Sequence, residues 1–198
     1  MLHINVVFLH LQKVHRKMTL FKNIAILIIS PKVGWEEINK SGVSTQTALA
    51  RGFYPLLALL ALTAFVPMLY DCTIELKDAL MQAIIQFSSF FFSYFICAYL
   101  VEGFFPELNK THSANSRLND FIVYNLIFLV LLAIMNNVLP ARFPVLSLLV
   151  LYVVFMAYKG MDYLGLKQDR TTVFLITSSA MFLLVPAVLR CVLELIIV

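Results

Sequence analysis

Charged side chains are scarce in this sequence. Asp, Glu, Lys and Arg make up 13% of its 198 residues, about half the share usual in a soluble globular domain. Hydrophobic residues make up 61%, and the mean hydropathy is +0.89. A chain this small cannot enclose so much apolar surface in one water-soluble core. That excludes a soluble enzyme, a secreted disulfide domain and a disordered tail. Cysteine is sparse as well. Cys72, Cys97 and Cys191 are too scattered for a disulfide framework or a CxxC metal site. Cys97 and Cys191 stand in apolar stretches, where a thiol usually serves as a small core residue. The sequence has no HExxH, no Walker A loop, no GxSxG and no GxGxxG. It has no pair of intramembrane aspartates, no repeat and no low-complexity segment. No catalytic residue, metal ligand or cofactor is therefore expected. The net charge of +4 comes from basic residues that are not gathered on any soluble domain, so no nucleic-acid partner is expected either.

What the chain does have is long apolar runs, and a membrane-spanning helix needs about 20 such residues. Five candidate spans follow one another, at about 52–70, 79–101, 119–139, 143–163 and 171–189. Pro55 sits near the start of the first, where proline costs least. The fourth is the weakest, because its uninterrupted apolar part, 143–158, is only 16 residues long. That is about 24 Å of helix against a hydrocarbon core of ~30 Å, so Lys159 must snorkel or the bilayer must thin. Residues 190–198 form a short tail.

Ahead of the spans lie two further regions. Residues 1–18 are a poorly defined extension, with an apolar run followed by basic residues. A secretory signal has the opposite order, and an upstream extension of the reading frame is one reading of 1–17. Residues 19–50 form an arm, apolar over 20–29 but too short to span. After it, Pro31 opens a segment whose early acids, Glu36 and Glu37, suit a helix N-terminus. Trp35 is the only tryptophan, and tryptophan favours the headgroup level. The arm therefore reads as one or two amphipathic helices lying on the membrane, with Pro31, Trp35 and Ile38 as the interfacial anchor. The expected fold is an all-α, polytopic bundle of five transmembrane helices over 51–198, preceded by this amphipathic arm.

The few charges set the orientation. Assigned to alternate sides of five spans, twelve of the 15 basic residues fall on the side of the N-terminus. Only Lys77, Arg142 and Arg190 fall on the other. The positive-inside rule then predicts a cytoplasmic N-terminus and an outward C-terminus.

Polar residues inside the spans are the candidate functional groups. Gln82, Gln86, Ser89 and Ser93 are spaced 4, 3 and 4 apart, which puts them on one helical face, and Cys97 continues the line. Asn125 and Asn136 share a face of the third span, with Asn137 beside them. The plain reading is hydrogen bonding between helices. The functional reading is a polar path for an ion or small solute, although coupled transporters usually carry an ionisable residue in mid-span and none is placed there. Arg190 and Glu194, four residues apart, are a candidate ion pair at the outer interface. Glu102 and Glu107 flank a Gly-Phe-Phe-Pro turn and either hold a cation or cap the loop.

The order of these features resembles the Yip family of five-span membrane proteins, named for interaction with Ypt/Rab GTPases. The resemblance is carried by Pro31-x-x-x-Trp35-x-x-Ile38 ahead of the first span and by the polar entry to the third span, Ser116-Arg117-Leu118-Asn119-Asp120-Phe121 with Tyr124. It continues with Pro140 closing the third span and with the 158–165 stretch, Tyr-Lys-Gly-Met-Asp-Tyr-Leu-Gly. It covers about 19–198. The long acidic N-terminal region of eukaryotic members is missing, and with it the ground for expecting a GTPase partner. The resemblance implies the prokaryotic branch, a bacterial inner-membrane location, and action by association with the bilayer, other membrane proteins or a second copy. The expected function is a non-enzymatic multi-pass protein that binds membrane or protein partners. The alternative is a small transporter or channel built on the polar faces of spans two and three.

Overall fold

The computed structural model describes residues 20–106, 112–140, 148–165 and 168–197. Among them the structure is helical, with no strand. The helices described are, in order, α1 Leu20–Ile29, α2 Pro31–Ser41, α3 Thr45–Leu69, α4 Leu76–Phe104, α5 His112–Val138, α6 Tyr152–Leu164 and α7 Gln168–Ile197. Four stretches are long and apolar enough to cross a membrane: α3, α4, Ser116–Val138 of α5 and Arg170–Ile197 of α7. Five were expected. The fourth expected span, 143–163, is represented by α6, whose 13 residues reach only about 20 Å. Its first part, 143–147, lies outside the described residues, as do Glu107 and residues 1–19.

The other spans are longer than their apolar cores. Helix α3 starts at Thr45 rather than near 52, because Ser44 caps it by accepting from the Thr47 amide. Pro55 brings no amide donor, and just ahead of it the helix widens into a π-turn, Leu49–Phe53, where the Tyr54 amide donates to Leu49 O. Glu75 and Asp78 form a capping box that starts α4 three residues earlier than expected. In the preceding turn the amide and hydroxyl of Thr73 both donate to Asp71, which holds that carboxyl below its usual range. Helix α7 runs through Pro186 and beyond 189, so the expected tail is helical. Its last turns are apolar apart from Arg190 and Glu194, which pair along the helix at 2.8 Å.

Helix α5 is the centre of the bundle. Every residue from Phe121 to Val130 is buried, the outcome expected of a helix that is apolar all round. In the most apolar window of α5, 67% of residues are buried, against 11% in α7. Helices α3, α4 and α6 pack on α5, and α7 closes the ring by packing on α4 and α6. Phe121 of α5 also meets Phe174 and Phe182 of α7 at 5.7 Å between ring centres.

The arm forms two helices, α1 and α2, and several of its apolar residues face inward. Leu20, Ile24 and Leu27 of α1 are buried in the core, as are Trp35 and Ile38 of α2. Helix α1 runs from beside Gly52 of α3, where Leu20 lies, to α6, where the Tyr152 hydroxyl donates to Ile28 O at 2.9 Å. The chain then doubles back into α2, and Asn23 of α1 donates to Ser41 of α2 at 3.0 Å. The return depends on Gly34. A Cβ there would come within 2.3 Å of the Leu27 Cα, a backbone atom that cannot swing aside.

Gly34→Ala should therefore cost about 1–3 kcal/mol, the usual cost of overpacking. Gly103→Ala is the control. Its added methyl meets nothing within 4 Å, and alanine is the better helix former. Thermal unfolding in micelles should show a lower midpoint for the first variant and an equal or higher one for the second.

Candidate functional site

The polar face of α4 is used in two ways. Ser89 and Ser93 are buried, and each hydroxyl donates to the carbonyl four residues back, Ile85 O and Ser89 O, both at 2.6 Å. Such back-bonding satisfies a hydroxyl in an apolar setting without any partner helix. Cys97 continues the line, and its thiol reaches Met181 O of α7 at 3.9 Å. Gln86 makes the interhelical contact. Asn137 Nδ2 donates to Gln86 Oε1 at 2.7 Å, and Gln86 Nε2 donates back to Asn137 Oδ1 at 3.3 Å. Asn137 Nδ2 also reaches Thr63 Oγ1 at 3.3 Å, so one side chain ties α3, α4 and α5 together. The expected partners were Asn125 and Asn136. Asn125 instead donates to Phe121 O within its own helix at 2.7 Å, and Asn136 is exposed.

Above the amide pair, α4, α5 and α7 leave a partly enclosed cavity of about 320 Å³. Gln86, Ser89, Asn136, Asn137 and Arg190 supply its polar lining. Phe90, Leu129, Leu132, Phe182, Leu183 and Pro186 supply apolar walls. Pro186 carries no N–H, so the Phe182 carbonyl loses its helical donor at this point in the wall. Arg190 is half-exposed at the rim. Its Nε donates to Glu194 at 2.8 Å, and its Nη2 lies 3.5 Å from Gln82 Oε1. The structure thus brings Gln86, Ser89, Asn136 and Arg190 together around one space, with Gln82 and Glu194 in contact with Arg190 but outside the lining. Ser93 and Asn125 are packed away from it. Cys191, expected as a core residue, is exposed on α7.

The expected interfacial anchor lies at the other end of the bundle and is internal. Trp35 is 2% exposed. Its ring stacks between Phe121 at 5.5 Å and Tyr163 at 5.4 Å, with Tyr124 edge-on at 6.2 Å, and its Nε1 donates to Met156 O at 3.0 Å. Pro31 and Ile38 are buried beside it. The surface that Trp35 covers is protein: three aromatic rings and a carbonyl acceptor satisfy both the body and the N–H of the indole. Gly160 makes room for it, since a Cβ there would meet the Phe121 and Trp35 rings at 2.7 and 2.9 Å. Lys159, expected to snorkel, rests its ammonium 5.0 Å from the Tyr158 ring centre.

Sequence reasoning missed Asp120 and the role of Asn137. Asp120 is 6% exposed and accepts from Thr45 Oγ1 at 2.7 Å and from the Tyr163 hydroxyl at 3.1 Å. Thr45 also contacts Ser116. This network ties the entry of α3 to α5 and α6. The only signal for it was its place in the polar entry to the third span. Among the described residues, no group of three metal-ligating side chains comes together. The chain matches no protein-family model, no curated protein and no solved structure.

Replacing Asn137 by Leu strands Gln86 and should cost about 1–3 kcal/mol, the cost of an unpaired buried polar group. Asn136→Leu, at an exposed position, should leave the unfolding midpoint nearly unchanged. In the Gln86→Leu/Asn137→Leu double variant the loss should be smaller than the sum of the two single losses. Additive losses would show that the two amides do not act as a pair.

Proposed function

We propose that this chain is a non-enzymatic, multi-pass membrane protein of the Yip type that acts by binding partners within the bilayer. In this reading α6, extended by the residues before it, is the fifth crossing, the N-terminus is cytoplasmic, and the membrane is a bacterial inner membrane. The observation that carries the reading is the contrast between α5 and its outer neighbours. Helix α5 spends its surface on the bundle, whereas α4 and α7 keep large apolar side chains exposed along their length. Phe87, Phe92, Phe95 and Tyr99 do so on α4, and Val173, Ile176, Leu184 and Val188 on α7. Exposed apolar surface on this scale marks contact with lipid or with another protein. Aromatic side chains are the residues most often found at the centre of such contacts.

A channel fits less well. A conducting path along the polar faces needs Gln86, Ser89, Ser93 and Asn125 open to one lumen. Ser93 and Asn125 instead have their donors engaged within their own helices, and the cavity is lined on α4 only by Gln86, Ser89 and Phe90.

Photo-crosslinking residues at Phe92 on α4 and Val188 on α7 test the proposal in native membranes, with buried Leu126 on α5 as the silent control. The expected result is a discrete adduct at one of the exposed positions, with a single protein or a single lipid class. Lipid adducts in bulk membrane proportions at both positions would overturn the binding reading. Solute flux in liposomes that is abolished by Gln86→Leu would replace it with transport.

A further inference from the structure

We infer that the cavity at the Arg190 end is a binding site for one bilayer lipid, a phospholipid whose headgroup carries both a phosphate and a primary ammonium. The inference rests on the partner-binding reading above and names the ligand class for one site. Three features of the cavity lead to it.

The first is its polarity gradient. Phe182 and Leu129 of its apolar lining are buried, whereas Arg190, its charged group, is half-exposed. Arg190 follows Phe182 by eight residues on α7, about 12 Å along the helix. That is the arrangement of an acyl chain below its headgroup. A small polar solute would need polar groups at both ends.

The second is the charge at the rim, which is a dipole rather than a single cation. Arg190 and Glu194 sit one turn apart, joined only through Nε and Oε1. The guanidinium keeps donors on both terminal nitrogens, its further contact being a long one to Gln82. The second carboxylate oxygen of Glu194 keeps acceptor capacity. Both side chains are accessible, at 49% and 38% exposure. A phosphate on Arg190 and an ammonium on Glu194 complement this pair in order along the helix. A purely anionic headgroup would satisfy Arg190 but meet the Glu194 carboxylate, a like charge at close range. A choline headgroup offers Glu194 no N–H to donate.

The third is that polar capacity around the headgroup region is not consumed by the bundle. Asn136 is exposed on the lining, and Gln86 uses one of its two amide hydrogens on Asn137. These can donate to the ester region of a lipid that has entered from the side. The space of about 320 Å³ lies at the lower end of the range for ligand sites and suits part of one chain rather than a whole lipid.

Native mass spectrometry of the purified full chain, released from nanodiscs holding equal parts phosphatidylethanolamine, phosphatidylglycerol and phosphatidylcholine, tests this. The wild type should retain phosphatidylethanolamine in preference to the other two. Arg190→Gln and Glu194→Gln each remove one half of the exposed pair without touching the core. Each should lower that retention about tenfold, the loss of one charge-assisted hydrogen bond. Leu183→Trp fills the cavity and should abolish retention while the pair stays intact. Unfolding midpoints measured in parallel show whether each variant is folded, and the two exposed variants serve if Leu183→Trp is not. Equal retention of the three lipids by the wild type, or undiminished phosphatidylethanolamine retention in Arg190→Gln and Glu194→Gln, overturns the inference. The crosslinks at Phe92 and Val188 report on the broader binding reading separately, because neither residue lines the cavity.

Discussion

The insertion of Trp35 between Phe121 and Tyr163 is the contact on which the rest of the bundle depends. One ring joins three elements that are far apart in sequence: α2 carries it, α5 supplies Phe121 and Tyr124, and α6 supplies Tyr163 and the Met156 carbonyl. Deep in an apolar interior an unpaired indole N–H would be costly, so the bond to Met156 O fixes the height of α2 against α6 as well as satisfying the donor. Gly160 and Gly34 are the two places where the backbone gives way so that the arm can lie this close. The arm is therefore part of the core rather than an appendage to it.

Enclosing α5 from Phe121 to Val130 has a second consequence. A polar group buried along it has only the bundle to bond to. Asp120 is satisfied by Thr45 and Tyr163 at one end, and Asn137 by Gln86 and Thr63 at the other. Between them Asn125 turns its amide nitrogen back onto its own helix, while its Oδ1 is buried without a partner. The two networks bracket an apolar middle, and each ties α5 to two neighbouring helices. Helix α7 is the opposite case. Its most apolar stretch is little buried, it has a proline in its length and an ion pair near its end, and it forms one wall of the cavity.

Much of this could be read from the sequence, for physical reasons that also mark where the reading stopped. Hydropathy located the four helices that are long and apolar enough to cross a membrane, because a run of about 20 apolar residues leaves few alternatives. Their ends were set by caps instead, Ser44 for α3 and the Glu75–Asp78 box for α4, which lie outside the apolar runs. The 4-3-4 spacing groups Gln82, Gln86, Ser89 and Ser93 on one face of α4, of which the last three are buried and Gln82 is half-buried. It could not say which asparagine faces Gln86, because Asn136 and Asn137 differ by a single helical step of about 100°. The arm shows the deeper limit. An amphipathic segment is written the same way whether its apolar face meets headgroups or a bundle, and a tryptophan suits both. Asp120 was passed over because a carboxylate at the entry of a span looks like a loop residue until Thr45 and Tyr163 are seen to close over it.

Trp35 is the only tryptophan in the chain, so its fluorescence reports this contact without labelling. The most direct test is quenching of the protein reconstituted into bilayers, by brominated phospholipids from the lipid side and by acrylamide from the water side. A ring clamped between Phe121 and Tyr163 should be shielded from both, and Gly160→Leu should expose it. Strong quenching of the wild type by lipids brominated near the headgroup would contradict the account and return the arm to the membrane surface.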